Sequence, residues 1–313
     1  MTKNIFIIGN GFDLDLGMKT KYSDFANNEK YWPKYNGNEI CGLEAYLEKK
    51  KDMEKWFDLE NELKNYSIFS DIPPMHIKSM NPDIDKKYFE KIRENLTEYI
   101  AQQELGVLDL ESVAAKALKA ILDYGDFTSC YSFNYTDLNK IVNKLHIGKQ
   151  FYYKHIHGSV KDKSIILGVG SVKLRKGYDF LEKTASEFYR SNSILSDLDK
   201  SEEIVFFGMS FGEIDNIYFK NFFKKITSTD YVPNKKIFIT IFTYNENSRS
   251  EIYKNLSDLG IDKTRLFQNK IQFIRTQNNM DSQELDVFCK RLQEKRSAEE
   301  HRLTGILNKL DGF

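Results

Sequence analysis

Gly9-Asn10-Gly11 follows the apolar run Ile5-Phe6-Ile7-Ile8, and it is the first place where residue types and spacing suggest chemistry. A strand, a tight glycine turn and then a helix can cradle phosphate. Glycines let the backbone approach an anion, and the helix start offers unpaired N–H groups to its oxygens. The turn also sits on the first strand, where α/β nucleotide folds place it. The hydride-transfer form of the motif, GxGxxG, needs a third glycine where Leu14 stands. It also needs an acidic residue ending a second strand, where a helical stretch follows instead, so a dehydrogenase reading is set aside.

Further polar groups stand at the ends of apolar runs. Asn134, in Ser132-Phe133-Asn134-Tyr135-Thr136, carries an amide that can donate and accept at once. His155 and His157, in His155-Ile156-His157-Gly158-Ser159, share one strand face by the two-residue period. Imidazole titrates near neutral pH and suits proton transfer, while His155 reads more simply as a histidine hydrogen-bonding beside a site. A His-x-His pair can also bind a metal, but no third ligand accompanies it at telling spacing, so no metal is expected. Gly208 and Ser210 end the run Ile204-Val205-Phe206-Phe207, either as a tight turn with a serine cap or as phosphate or ribose contacts. Asp215 reads equally as a ribose contact or as a carboxylate favoured by a helix dipole.

These residues need a scaffold that gathers them. Short runs rich in Ile, Val and Phe predict strands near residues 4–8, 127–133, 151–156, 164–167, 203–207, 236–243 and 270–275. Near-continuous apolar runs suit strands buried on both faces, and their alternation with helices predicts a doubly wound, mostly parallel α/β sheet. Residues 43–63, 85–105 and 110–124 show helical spacing, broken at Ile72-Pro73-Pro74 and Asn81-Pro82. They form an expected helical insertion, residues 26–124, between the first and second core strands of a single domain spanning 1–313. Residues 281–313 predict a charged C-terminal helical segment.

Lysine plus arginine and aspartate plus glutamate each number 46, so formal net charge is zero, which argues against general nucleic-acid or anionic-membrane affinity. Three scattered cysteines with no CxxC pair exclude a cysteine-rich zinc module and fit a reducing cytoplasm. The opening apolar run is too short for a signal peptide, and no stretch approaches membrane-spanning length; a cytoplasmic protein is expected.

The run GNGFDLDLGMKTKYSDF, Gly9 to Phe25, resembles the opening of the bacteriophage abortive-infection AbiH family, and its layout is similar to the sirtuin Gly-x-Gly pattern. Three later segments resemble sirtuin-like motifs in the expected order: the Asn134 run, the His155-x-His157-Gly158 run, and Gly208-Met209-Ser210 followed by Asp215. Thr243-Tyr244-Asn245 resembles the asparagine that meets an adenosine ribose. Two departures stand out. Thr136 holds the place two residues after the motif asparagine where sirtuins have aspartate, and the four-cysteine zinc module is absent.

The resemblance implies a Rossmann-like, sirtuin-like NAD-binding core, with NAD as substrate and no metal. It implies a glycohydrolase releasing nicotinamide, acting as an antiphage abortive-infection effector. The alternatives are an NAD or ADP-ribose sensor without turnover and an interaction protein of a defence system. Asn134 would orient the reactants and His157 would act as the base. Gly9, Asn10, Gly11, Phe12, Asp13, Gly17, Gly208, Ser210, Asp215 and Asn245 would bind the dinucleotide. The expected partner is NAD or a related nucleotide; a homo-oligomer and a partner defence protein stay open.

Overall fold

Six short apolar runs pair side by side in a computed structural model that describes residues 3–53, 57–68, 80–148, 152–170, 172–190, 193–230, 237–266 and 270–310. They are β1 (Lys3–Ile8), β2 (Phe127–Ser132), β3 (Lys154–His155), β4 (Ser201–Phe207), β5 (Phe238–Thr243) and β6 (Lys270–Arg275). The order is β3-β2-β1-β4-β5-β6, with every pair parallel. This is the Rossmann-like doubly wound arrangement, and the chain reverses direction across the sheet between β1 and β4.

Both faces of the central strands are covered, which is why their sequences read apolar without alternation. Phe6 and Ile8 face one layer, with α6 and α12 over it, while Ile5 and Ile7 face the other. The helices in chain order are α1 (Asn10–Asp15), α2 (Tyr22–Ala26), α3 (Gly42–Met53), α4 (Leu59–Ser67), α5 (Pro82–Gln103), α6 (Val113–Tyr124), α7 (Leu138–Lys144), α8 (Ile194–Leu198), α9 (Lys220–Ile226), α10 (Glu246–Asp258), α11 (Lys263–Leu266) and α12 (Ser282–Leu310). Helix α6 shows how the sequence sets the packing. Ser112 caps it through its hydroxyl on the Ala115 N–H, and Ala114, Ala117, Leu118 and Ile121 bury one close-fitting face.

Helices α3 to α5 build a separate core with Phe25, Trp32, Leu63, Tyr88 and Tyr99. Ile165, Leu167 and Leu181, from the connection between β3 and β4, join the same core. The predicted strand at 164–167 is thus corrected. The chain folds back there, with Ile166 N–H on His157 O at 2.8 Å and Ser164 N–H on Ser159 O at 3.0 Å. The turn needs Gly158 at φ +75°, where a Cβ would strike the Ser164 carbonyl. Its apolar residues pack on the insertion rather than in the sheet.

The predicted helix at 43–63 is two helices, because Asp58 is extended and caps α4 through the Glu60 and Asn61 N–H groups. In the predicted strand 151–156 only Lys154–His155 pair within the described residues. The Ile72-Pro73-Pro74 corner lies outside the described residues.

Candidate functional site

The loops after β1 and β4 meet where the strand order reverses. Gly9 N–H donates to Phe207 O at 2.8 Å, and Gly11 N–H donates to Gly208 O at 3.1 Å. The contact is glycine against glycine: a Cβ on Gly11 would lie 2.6 Å from Gly208 Cα, and one on Gly208 would lie 2.4 Å from Gly11 Cα. Gly208 also sits at φ +67°, in the left-handed region. These glycines therefore let two loops touch, and the Gly9 and Gly11 amides are spent on the fold rather than left for a phosphate.

A cleft of about 1150 Å³ opens beyond the carboxyl ends of the strands, and Gly9, Asn10, Gly11 and Asp13 line it beneath β1. Asn134 and His157 line it from the β2–β3 side; Gly208, Ser210 and Asp215 line it after β4, and Asn245 after β5. Two of the residues expected to bind the dinucleotide are placed elsewhere. Phe12 turns under the loop into the core, edge-on to Phe6 and Phe207. Gly17, at φ +86°, ends α1 with its N–H on Leu14 O.

Asn134 is pinned on three sides. Its N–H donates to Ser132 Oγ, its carbonyl meets His155 Nδ1 at 2.9 Å, and its Nδ2 donates to Gly9 O at 3.1 Å. The Gly9 carbonyl can only accept, so the amide orientation is settled. His155 thereby takes the supporting place expected for it. Asp13 is buried beside this amide, with Thr136 Oγ1 donating to its two oxygens at 3.0 and 3.2 Å. Desolvation pushes its carboxyl up to about 7, against the opposing hydrogen bonds from Asn134 and Thr136. Thr136, the departure from the sirtuin pattern, thus holds a carboxylate supplied by another loop.

His157 lies in a second polar cluster. Its Nε2 is 3.5 Å from Lys183 Nζ and 3.5 Å from Asp215 Oδ1. Burial, then the Lys183 charge, hold its pKa well below the ordinary value. It is a neutral imidazole of suppressed basicity, whereas the sequence expectation rested on titration near neutrality. Lys183 Nζ also sits 2.9 Å from Glu60 Oε1 and 3.0 Å from Oε2. Burial raises the Glu60 carboxyl to about 7 even with this ammonium beside it. Desolvation raises Asp215 too, and its buried Oδ1 has no hydrogen-bond partner among the described residues.

Glu60 and Tyr135 line the cleft, as does Tyr22, whose hydroxyl is 3.1 Å from that of Tyr135. Sequence reasoning missed these residues and Lys183. Glu60 was legible only as one of many helical charges, and its one signal is the Asp58 cap that starts α4 two residues before it, itself on the cleft wall. Lys183 had no signal at all. On the β5 side, Asn245 Oδ1 accepts from Ser248 N–H as the cap of α10, and Asn255 Nδ2 donates to Ser210 O. Among the described residues, no group of three or more His, Cys, Asp or Glu side chains could hold a metal ion, and no helix is long and apolar enough to cross a membrane.

No curated protein matches the chain. The family model of bacteriophage abortive infection AbiH matches residues 5–234, which takes in nearly all of β1 through α9 and every cleft element that precedes β5. The chain belongs to the bacteriophage abortive infection AbiH family, and this implies a role in phage abortive infection.

Proposed function

We propose that the chain is a sirtuin-like NAD glycohydrolase, cleaving the nicotinamide–ribose bond as its contribution to abortive infection. One observation carries this reading: Asn134, His157 and the Gly9–Gly11 turn, far apart in sequence, line one cleft at the switch point of the sheet. That is where doubly wound folds bind dinucleotides. The cleft volume of about 1150 Å³ exceeds the roughly 300–1,000 Å³ typical of ligand pockets, as an elongated ligand requires.

In this reading the nicotinamide ribose lies by Asn134 and His157, and the adenosine half lies toward Asn245. Cleavage passes through an oxocarbenium-like state, and nicotinamide leaves from a cationic ring, so the leaving group needs no strong acid. The protein must hold the sugar, exclude stray water and place a nucleophile. Asn134, pinned on three sides, supplies a fixed amide. Neutral His157 supplies a hydrogen bond without adding a positive charge beside a developing cation.

The test is to incubate the full-length protein with NAD, with and without lysate of phage-infected cells, and resolve the products chromatographically. Nicotinamide and ADP-ribose are expected. Asn134→Ala and His157→Ala should each lower release on the order of a hundredfold while still unfolding cooperatively above the assay temperature. Calorimetric binding of NAD without release under any condition would replace this reading with that of a sensor.

A further inference from the structure

We propose that Asp13 is the general base of this reaction, acting on a water held jointly with Asn134. The inference rests on the NAD-cleavage reading and names a catalytic residue for it. Asn134 uses Nδ2 to donate to Gly9 O and toward Asp13, which leaves Oδ1 as an acceptor without a protein partner among the described residues. Asp13 contributes a second acceptor beside it, and both residues line the cleft. Two adjacent acceptors take both hydrogens of one water, and its lone pair is then directed away from them, into the space where the sugar carbon must sit.

The other ionisable groups of the cleft serve less well. Glu60 has both oxygens on the Lys183 ammonium. His157 is neutral and of suppressed basicity. Asp215 lies against His157, its Oδ1 3.5 Å from the imidazole Nε2. Among the described residues, Asp13 receives its side-chain hydrogen bonds from neutral groups, Thr136 and Asn134. The charge that acts on it is that of Glu104, itself paired with Lys140 at 2.6 Å. Burial without a cation keeps its carboxyl at about 7, where a base is effective at neutral pH.

The step balances. A water O–H bond breaks and its proton goes to Asp13, while the oxygen bonds to the anomeric carbon. The carbon–nitrogen bond breaks, and its electron pair returns to the pyridinium ring, so nicotinamide leaves neutral. ADP-ribose keeps the new hydroxyl, and Asp13 then loses its proton to solvent.

The experiment uses the full-length protein, NAD, and sodium azide, an anionic nucleophile that needs no base. Wild-type turnover should rise with pH up to about 7 and then level. Asp13→Asn should lose about 10²–10⁴-fold in kcat with little change in KM. Azide should restore nicotinamide release in that variant, giving the ribosyl azide adduct. In Thr136→Val, the loss of the hydrogen bond that favours the charged carboxylate should move the rising limb to higher pH. Wild-type turnover in Asp13→Asn would overturn the proposal, as would an inactive variant that still binds ADP-ribose but does not respond to azide. If the wild type releases no nicotinamide in any condition, the NAD-cleavage reading fails and this inference fails with it.

Discussion

Lys183 Nζ lies 2.9 Å from one oxygen of Glu60 and 3.0 Å from the other, with both side chains buried. The pair joins helix α4 of the insertion to the connection between β3 and β4, directly behind His157.

Removing one member should be costly. Lys183→Met leaves the Glu60 carboxylate buried without its ammonium, and such losses run to about 3–5 kcal/mol. Glu60→Gln combined with Lys183→Met should recover a large part of that loss, because no uncompensated charge remains. Urea unfolding of the two single variants and the double variant measures the coupling. Equal losses in all three would remove the pair from any account of stability. The single Lys183 variant should also raise the His157 pKa, because the lysine charge is one of the two causes holding it down; an NMR titration of the imidazole reads this directly.

Gly208→Ala should be among the most damaging small substitutions. The new methyl would meet Gly11 Cα at 2.4 Å and Phe12 N at 2.5 Å, all of it backbone, from a left-handed φ of +67°. Neither loop can yield without breaking the Gly11–Gly208 hydrogen bond. A loss of roughly 3 kcal/mol or more is expected, seen as a lowered thermal midpoint. Gly17→Ala bears only the backbone strain, since nothing lies within 4 Å of its added carbon, and should cost less.

The pH dependence of stability has a defined sign. The Asp13 carboxyl sits at about 7 in the folded protein, against 3.8 ordinarily. Between these values the folded state keeps a proton that the unfolded chain has released. The stability this group contributes is therefore complete below about pH 4 and is lost as pH rises through about 7. Asp13→Asn does not titrate, so wild-type stability relative to the variant should fall by about 4 kcal/mol across that window. Taking the difference cancels the opposite trend of His155 and His157, whose depressed pKa values cost stability as the medium acidifies. A flat difference in chemical denaturation from pH 4 to pH 8 would contradict the burial argument.

Far from the cleft, Glu203 is fully buried at the start of β4 and is met by Arg291 at 2.9 Å and by Lys295, both from α12. Arg291→Ala should cost about 1–3 kcal/mol, with Lys295 retaining part of the neutralisation. Glu203→Gln should cost less than the arginine change. Thermal unfolding of the two variants decides the order.

The sheet was legible because its strands are buried on both faces, so runs such as Ile204-Val205-Phe206-Phe207 stand out from a charged background. The run at 164–167 looks the same in sequence, yet it packs on the insertion. Apolar character reports burial and not the layer in which burial occurs. The Asn134 and His157 runs could be found because they end or follow strands. Glu60 and Lys183 could not, since each is a charge among many until the fold excludes water around it. Asp13 sat in plain view inside the glycine motif; what the sequence hid was its tie to Thr136, more than a hundred residues away.

The position of β1 bears on synthesis. The two neighbours of this strand begin at residues 127 and 201, long after it in the chain, and the far wall of the cleft comes only with β5 and α10. At about 5–20 residues per second, the central strand waits many seconds for its second neighbour. A nascent chain therefore lacks the far wall of the cavity until β5 and α10 have been made.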